Sequence, residues 1–497
     1  MTVEETLLIT VWGNPESWAT VDKYSVELPE DQPPHQAEKP YKSTLGPLME
    51  TYNNPTTLLY APSTLEKPSK NKNYEQLIQE VKQYIASKIE DEQYCPKPSQ
   101  VETAIFPSIG SFRKDNEHYT SKGSIETYRS HTHITTYNKL MDKKPTKIIL
   151  DLSHGVNYMP TYLRQTTETA IASYILATGN PVKLLTYNSA PVQQKDKNKP
   201  IEEATIHLVE EKDVNGLDAK KILYTQLSLH LLKPTHQPNP IRSPLGLRIP
   251  EHNIQEWRKL LESIKDFLIS AELGLSLPLA YLIDEINRTD IQNLDRTAER
   301  FAYIKDCSNL VDIDDRTITF KYILRYEAAL SITLVKSIKS QNWQETPPYP
   351  IEHIKKISEA YMTLATKTLL DHEIKQLEDR VGIVQKYLPQ HRINKTPYIK
   401  LINIGNIHTG ECKRLLEIYK EGQTIDDKMI NEAEKIITQP DPDKLKEPDK
   451  RNLIAHAGLE QNITLITLDG KRILIEFHED IIRKLKNIIR NLIVKSE

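Results

Sequence analysis

The sequence predicts two joined domains: an α/β, Rossmann-like N-terminal domain over residues 1–214 and a mainly α-helical C-terminal domain over residues 251–497 with a small β-hairpin, separated by a connector at 215–250. Three observations predict it. Short β-branched runs alternate with helical stretches through the first part, the pattern of a mostly parallel sheet covered by helices on both faces. Prolines at 234, 238, 240, 244 and 250, with few aliphatics between them, then interrupt the chain. Beyond them the apolar period becomes that of a helix.

In the first part, strands are expected at Leu7–Trp12, Thr57–Tyr60, Thr103–Phe106, Lys147–Asp151, Val182–Tyr187 and Ala204–Val209. Helices are expected at Tyr74–Ile89 and at Thr161–Ala177, the latter opened by Pro160 and closed by Gly179. Such a sheet binds ligands beyond the C-terminal ends of its strands. In the second part Ile254, Trp257, Leu261, Ile264, Leu268 and Ala271 recur three and four apart, on one helix face. Further helices are expected at Tyr322–Ile338, His353–Leu370, Ile374–Tyr387 and Ile481–Val494. The exception is Ile463–Leu468 and Lys471–Phe477 around Asp469-Gly470, a dipeptide that tolerates the left-handed backbone of a two-residue hairpin turn.

At 497 residues the chain is too long for one ordinary core, and 38% hydrophobic with 27% charged residues suits folded domains rather than disorder. No apolar run approaches a membrane span. The stretch from Met1 leads straight into the first strand with neither a basic region nor a cleavage site, which reads as cytoplasmic. Cys95, Cys307 and Cys412 lie far apart, so neither a disulfide framework nor a zinc site is expected. A net charge of −3 without a basic block argues against a protein that coats nucleic acid, but not against a nuclease with local, transient contacts.

The stretch from Glu447 to Gly458 carries the most chemistry. Pro448 and Asp449 suit a helix start and Gly458 its stop, which puts Arg451 in the first turn and His456 near the end. At about 100° per residue, Arg451 and His456 stand roughly 140° apart, whereas Asn452 and His456 share a face. A histidine titrating near neutrality can carry the proton of an RNA 2′-hydroxyl, and an arginine fork can hold the phosphate as charge builds on it. This chemistry requires no metal. One helix supplies one such set, so two identical helices meeting across a two-fold axis would complete a site. Arg451-Asn452-Leu453-Ile454-Ala455-His456 resembles the R-N-x-x-x-H signature of HEPN ribonucleases. That resemblance implies catalytic roles for Arg451 and His456, a supporting role for Asn452, and dimerisation.

Loops after the N-terminal strands share polar, small residues. The first strand ends in Trp12-Gly13-Asn14-Pro15, and Ser43-Thr44 opens a helix with a capping hydroxyl. Ser108 and Gly110 follow the third strand, Asp151 to Pro160 the fourth, and Asn188-Ser189 the fifth. Gathered at one sheet edge they would offer hydroxyls, amides and backbone N–H groups to a nucleotide. No dinucleotide fingerprint, P-loop or nucleophile elbow is present.

Asp151-Leu152-Ser153-His154-Gly155-Val156-Asn157-Tyr158-Met159-Pro160 is similar to the D-[IL]-[ST]-H-G-x-N-x-M-P segment of the CARF domain. With the C-terminal motif, the chain resembles the CRISPR-associated CARF-HEPN ribonucleases that accompany type III interference systems. The resemblance covers nearly the whole chain and is weakest across the connector and from about Thr289 to Arg316. It implies an allosterically activated endoribonuclease of single-stranded RNA with no cofactor, switched on by a cyclic oligoadenylate, cyclic tetra-adenylate for most members of this branch. It implies a homodimer or an assembly of dimers with no membrane partner. By that match Ser153, His154, Gly155 and Asn157 line the pocket, joined by Asn14, Ser43, Thr44, Ser108, Gly110, Asn188 and Ser189. Ala190 stands where the family often has an acidic residue. His154 has three readings: a ligand contact, a proton shuttle that slowly cleaves the ligand, or a donor that fixes the loop.

Asp312-Ile313-Asp314-Asp315 and Asp441-Pro442-Asp443 lack calcium-loop spacing and read as solvated turns. His131-Thr132-His133 lacks a third ligand in a polar stretch, and Glu327 reads as a surface carboxylate or a polar partner in the catalytic groove. Two competing readings stay open. One is a ligand-responsive regulator that binds nucleic acid without cutting it. The other is a nuclease needing no ligand, its N-terminal domain only dimerising.

Overall fold

The computed structural model describes residues 5–387, 399–400 and 450–493, apart from 31, 115, 157, 191–199, 233–239, 244–253, 306–309, 460–463, 470–471 and 478. The chain forms two compact units, residues 1–261 with 290–341 and residues 262–289 with 342–497. Strands of the first unit are β1 (Thr6–Val11), β2 (Val21–Val26), β3 (His35–Gln36), β4 (Thr56–Pro62), β5 (Val101–Phe106), β6 (Gly110–Lys114), β7 (Glu117–Lys122), β8 (Lys147–Asp151), β9 (Val182–Ser189) and β10 (Ile201–Val214). Its first helices are α1 (Leu45–Thr51), α2 (Tyr74–Ile89), α3 (Ile125–Lys143), α4 (Tyr158–Thr178) and α5 (Gly216–Leu231).

The main sheet has the order β3-β2-β10-β9-β8-β1-β4-β5. Its run β9-β8-β1-β4-β5 is parallel throughout, while β10 is antiparallel to β9. From β1 the chain steps outward to β4 and β5, then returns to β8 and β9 on the other side. The switch point of the strand order therefore lies between β1 and β8, at whose C-terminal ends such sheets carry their ligand-binding loops. On one face Leu8, Leu59, Ile149 and Leu185 pack with Leu45, Leu48, Val81 and Ile85 of α1 and α2. Alternation along each strand turns Tyr60 to the opposite face, where its hydroxyl donates to Thr132 of α3 at 3.1 Å.

α3 has no apolar period and was not expected. Its buried face includes Thr127, Arg129, Ser130, His131, Thr132, His133 and Thr136. It is stable because neighbouring elements supply the missing partners: His133 bridges Thr169 Oγ1 of α4 (3.0 Å) and Thr333 Oγ1 (2.8 Å), and Ser130 Oγ donates to the carbonyl of Leu324 in a short strand. α5 likewise occupies the first 16 residues after Asn215 in the stretch read as connector, its first turn closed by a capping box of Asn215 and Asp218.

Beyond it follow α6 (Ile254–Glu272), α7 (Ser276–Arg288), α8 (Gln292–Tyr303), α9 (Tyr326–Ser340), α10 (Ile351–Tyr361) and α11 (Leu364–Tyr387). α8 and α9 pack in the first unit, on α3 and α4. Glu327 of α9 is therefore not a surface carboxylate. It is 1% exposed and ion-paired to Arg325 at 2.7 Å within the first unit.

In the second unit Thr464–Asp469 and Arg472–Phe477 form the expected hairpin, with Asp469 opposite Arg472. Tyr349–Pro350 and Ile399–Lys400 extend it to four strands. The helix Glu479–Ile493 buries Ile481, Leu485 and Ile489, and Arg490 forks onto Asp266 with both contacts at 3.0 Å. Burial raises the Asp266 pKa, and the Arg490 guanidinium opposes that shift.

Candidate functional site

In the first unit the organising group is Asp151, at the end of β8 and fully buried. Its Oδ2 accepts from Thr10 Oγ1 (2.9 Å) and Thr44 Oγ1 (2.7 Å), and its Oδ1 from the Ser153 N–H (3.0 Å). Three donors around one carboxylate fix the loop after β8 to β1 and to the start of α1. The Thr44 hydroxyl is thus taken by Asp151 and makes no capping bond, although Thr44 does stand at the N-cap of α1. The loop after β1 lies against this one, since a β-carbon on Gly13 would fall 3.5 Å from Gly155 Cα.

His154 is held from two sides. Its Nε2 accepts the Thr44 N–H at 3.2 Å, and its ring stacks on Trp18 at 3.9 Å and 19°. Desolvation lowers its pKa below the ordinary histidine value, with Asp151 opposing. An Nε2 that accepts must be unprotonated, so the neutral ring carries its proton on Nδ1. Trp12, with Nε1 buried and without a partner among the described residues, meets Trp18 edge-on at 5.3 Å.

The Ser189 N–H at the end of β9 donates to Ser153 Oγ at 2.9 Å. The structure therefore brings together Thr44, Ser153, His154, Gly155 (φ +114°) and Ser189, with Asn14 beside Gly13 and exposed Asn188 beside Ser189. Asn14 accepts from the Glu16 N–H. Ser43 is fully buried and donates to the Tyr94 carbonyl. Ser108, 1% exposed, is bonded to Ser63 and Thr64, and both it and Gly110 (φ +108°) follow β5, with β1 and β4 between that strand and β8. Asn157 lies outside the described residues. Sequence reasoning quoted Asp151 only within a motif and missed Thr10 and Trp18. The aromatic following the first strand was the available signal for Trp18.

In the second unit the helix Lys450–Ala455 carries Arg451 and Asn452 in its backbone, and their side chains lie outside the described part. His456 is the first residue past that helix. Ala457 (φ +50°) and Gly458 (φ +80°) then turn left-handed, and the Gly458 N–H returns to the Leu453 carbonyl at 2.8 Å. Ser276, at the start of α7, donates both its N–H (2.9 Å) and its hydroxyl (2.7 Å) to the Ala457 carbonyl. His456 is 33% exposed, and its Nδ1 lies 3.1 Å from Glu373 Oε2 of α11.

His131 and His133 do not converge: His131 Nδ1 meets the Ala302 carbonyl, while His133 holds two threonines. Among the described residues, no group of three or more His, Cys, Asp or Glu is placed to hold a metal ion, and no helix is long and apolar enough to cross a membrane.

Polar loops gathered at the sheet's switch point, and a histidine just past a short helix in a separate unit, fit a two-domain ligand-binding enzyme. Residues 7–191 match the model of the CRISPR system endoribonuclease Csx1, CARF domain, and residues 364–479 match that of its HEPN domain. The CRISPR system endoribonuclease Csx1 of Methanocaldococcus jannaschii is 27% identical over 437 residues, covering 83% of this chain and 86% of that one. The solved Csm6 of Enterococcus italicus, bound to cyclic hexa-2'-fluoro-hexa-dAMP, aligns over 98% of this chain and 100% of its own at 9% identity. Its TM-score of 0.22 carries no argument. The chain belongs to the CRISPR-associated CARF-HEPN ribonucleases, with a Rossmann-like CARF ligand-binding domain and a helical HEPN region.

Proposed function

We propose that this ribonuclease is an endonuclease of single-stranded RNA, switched on by a cyclic oligoadenylate, the four-adenosine ring, in type III antiviral defence. Cleavage uses the RNA 2′-hydroxyl as nucleophile and no metal. The 2′-oxygen bonds to phosphorus, the bond from phosphorus to the 5′-oxygen breaks, and a 2′,3′-cyclic phosphate and a 5′-hydroxyl result. One proton leaves the 2′-oxygen and another reaches the 5′-oxygen, which suits two histidines. Arg451 holds the phosphate, Asn452 supports it, and His456 carries a proton. The observation that carries this reading is His456, one-third exposed just past the helix bearing Arg451 and Asn452, in the segment matched by the HEPN model.

A chain with one such helix completes the site by pairing, so the protein acts in the cytoplasm as a homodimer or an assembly of dimers. The ring lies over the loops beyond β1, β8 and β9, against Ser153, His154, Gly155 and Asn157, with Asn14, Thr44, Asn188 and Ser189, and reaches Gly110 beyond β5. Ser43 and Ser108, bonded inward, support these loops from behind.

Cleavage of a fluorescent single-stranded RNA, with EDTA present and with or without cyclic tetra-adenylate, tests the reading. The ring is expected to raise the rate at least tenfold, and Arg451→Ala or His456→Ala to abolish it, about a 10²-fold or larger loss. Binding without cleavage would favour the non-cutting regulator. Equal cleavage without the ring would favour a ligand-independent nuclease.

A further inference from the structure

We propose that Glu373 is the positioning residue for His456, holding the proton of the imidazole on Nδ1 so that Nε2 is the atom presented to the RNA. The proposal rests on the reading of His456 as the proton carrier. Among the described side chains, Glu373 is the charged group within hydrogen-bonding distance of His456, with Oε2 at 3.1 Å from Nδ1. A carboxylate oxygen only accepts, so the contact is a hydrogen bond only when Nδ1 carries hydrogen. Nε2 is then a bare lone pair in the neutral ring, able to take the 2′-hydroxyl proton, and an N–H donor in the imidazolium, able to protonate the 5′-oxygen. A buried carboxylate oriented against a catalytic histidine performs this task in hydrolases of unrelated fold.

Glu373 is well placed to be rigid. It flanks the stripe of α11 formed by Leu370, Ile374, Leu377 and Val381, each 3% exposed or less, and its own side chain is 17% exposed. The turn between α6 and α7 grips both partners. A β-carbon on Gly274 would lie 2.6 Å from Thr366 at the start of α11, and one on Gly458 would lie 3.0 Å from Leu275 Cα. The same turn thus fixes the helix bearing Glu373 and the loop bearing His456.

The test uses the full chain on the fluorescent RNA, with and without cyclic tetra-adenylate, comparing Glu373→Gln, Glu373→Ala and His456→Ala with the parent across pH 5–9 at matched thermal stability. Glutamine keeps an acceptor but no charge, and alanine keeps neither. The expected result is a graded loss in kcat, with Glu373→Ala falling by roughly 10- to 10³-fold and Glu373→Gln less. KM is expected to stay within about twofold because Glu373 touches no substrate. The order parent, Glu373→Gln, Glu373→Ala is expected to hold across pH 5–9 at matched stability. Parental kcat and pH profile in both Glu373 variants, with His456→Ala inactive, would overturn the role of Glu373 and leave the catalytic histidine standing. Undiminished cleavage by His456→Ala would overturn both.

Discussion

Gly458 sits at φ +80°, and a β-carbon there would stand 2.9 Å from Pro278 Cδ and 3.0 Å from the Leu275 backbone. Gly458→Ala therefore meets strain and overlap together. It is expected to destabilise the second unit by about 2 kcal/mol and to lower cleavage further than stability alone explains, because His456 is two residues away. Chemical denaturation alongside the RNA assay checks this, and unchanged values in both would refute it. The glycine was legible as a helix stop. That it is wedged against α7 was not, because Leu275 and Pro278 are remote in sequence. Thr44 teaches the same at the other site: its type marked a cap, but its hydroxyl goes to Asp151, a partner 107 positions away.

α3 is the element that the apolar pattern could not find, since its buried face is made of Thr, Ser, Tyr and His. Burial lowers His131 to about 4 and His133 to about 3, against an ordinary value near 6.5. With the folded pKa depressed, the unfolded chain binds more protons between those values. The contribution to stability is complete above about pH 6.5 and is lost as pH falls, at roughly 1.4 kcal/mol per pH unit for each histidine. Denaturant midpoints at pH 7 and pH 5 should fall accordingly. His133→Gln should be less stable at pH 7, having lost one of two threonine contacts, and its slope against pH should be shallower by about one proton. An unchanged slope would show that His133 is protonated in the fold.

For the whole molecule, the proposed switching would be a coupling free energy between two sites, one in each compact unit. If about 1% of the nuclease is active without ligand, making it dominant takes several kcal/mol of differential affinity, which a ring bound by two paired sensor domains could supply. Cleavage per chain in the presence of cyclic tetra-adenylate should then fall on dilution, in step with the loss of dimer seen by analytical ultracentrifugation. Activity per chain that is independent of dilution while the protein dissociates would refute the paired site.

The sequence by itself determined the alternation of the N-terminal sheet and the stop of the helix before Gly458, because a strand buried on both faces must be apolar and a helix stop needs glycine or a near substitute. Tyr74–Ile89 was placed to the residue and the hairpin within one residue at each end. Only the tertiary structure decided that residues 290–341 fold onto the first unit, that α3 is a helix, and that Glu373 meets His456. Each of these depends on partners far along the chain, whose burial and hydrogen bonds override the local pattern from which a sequence is read.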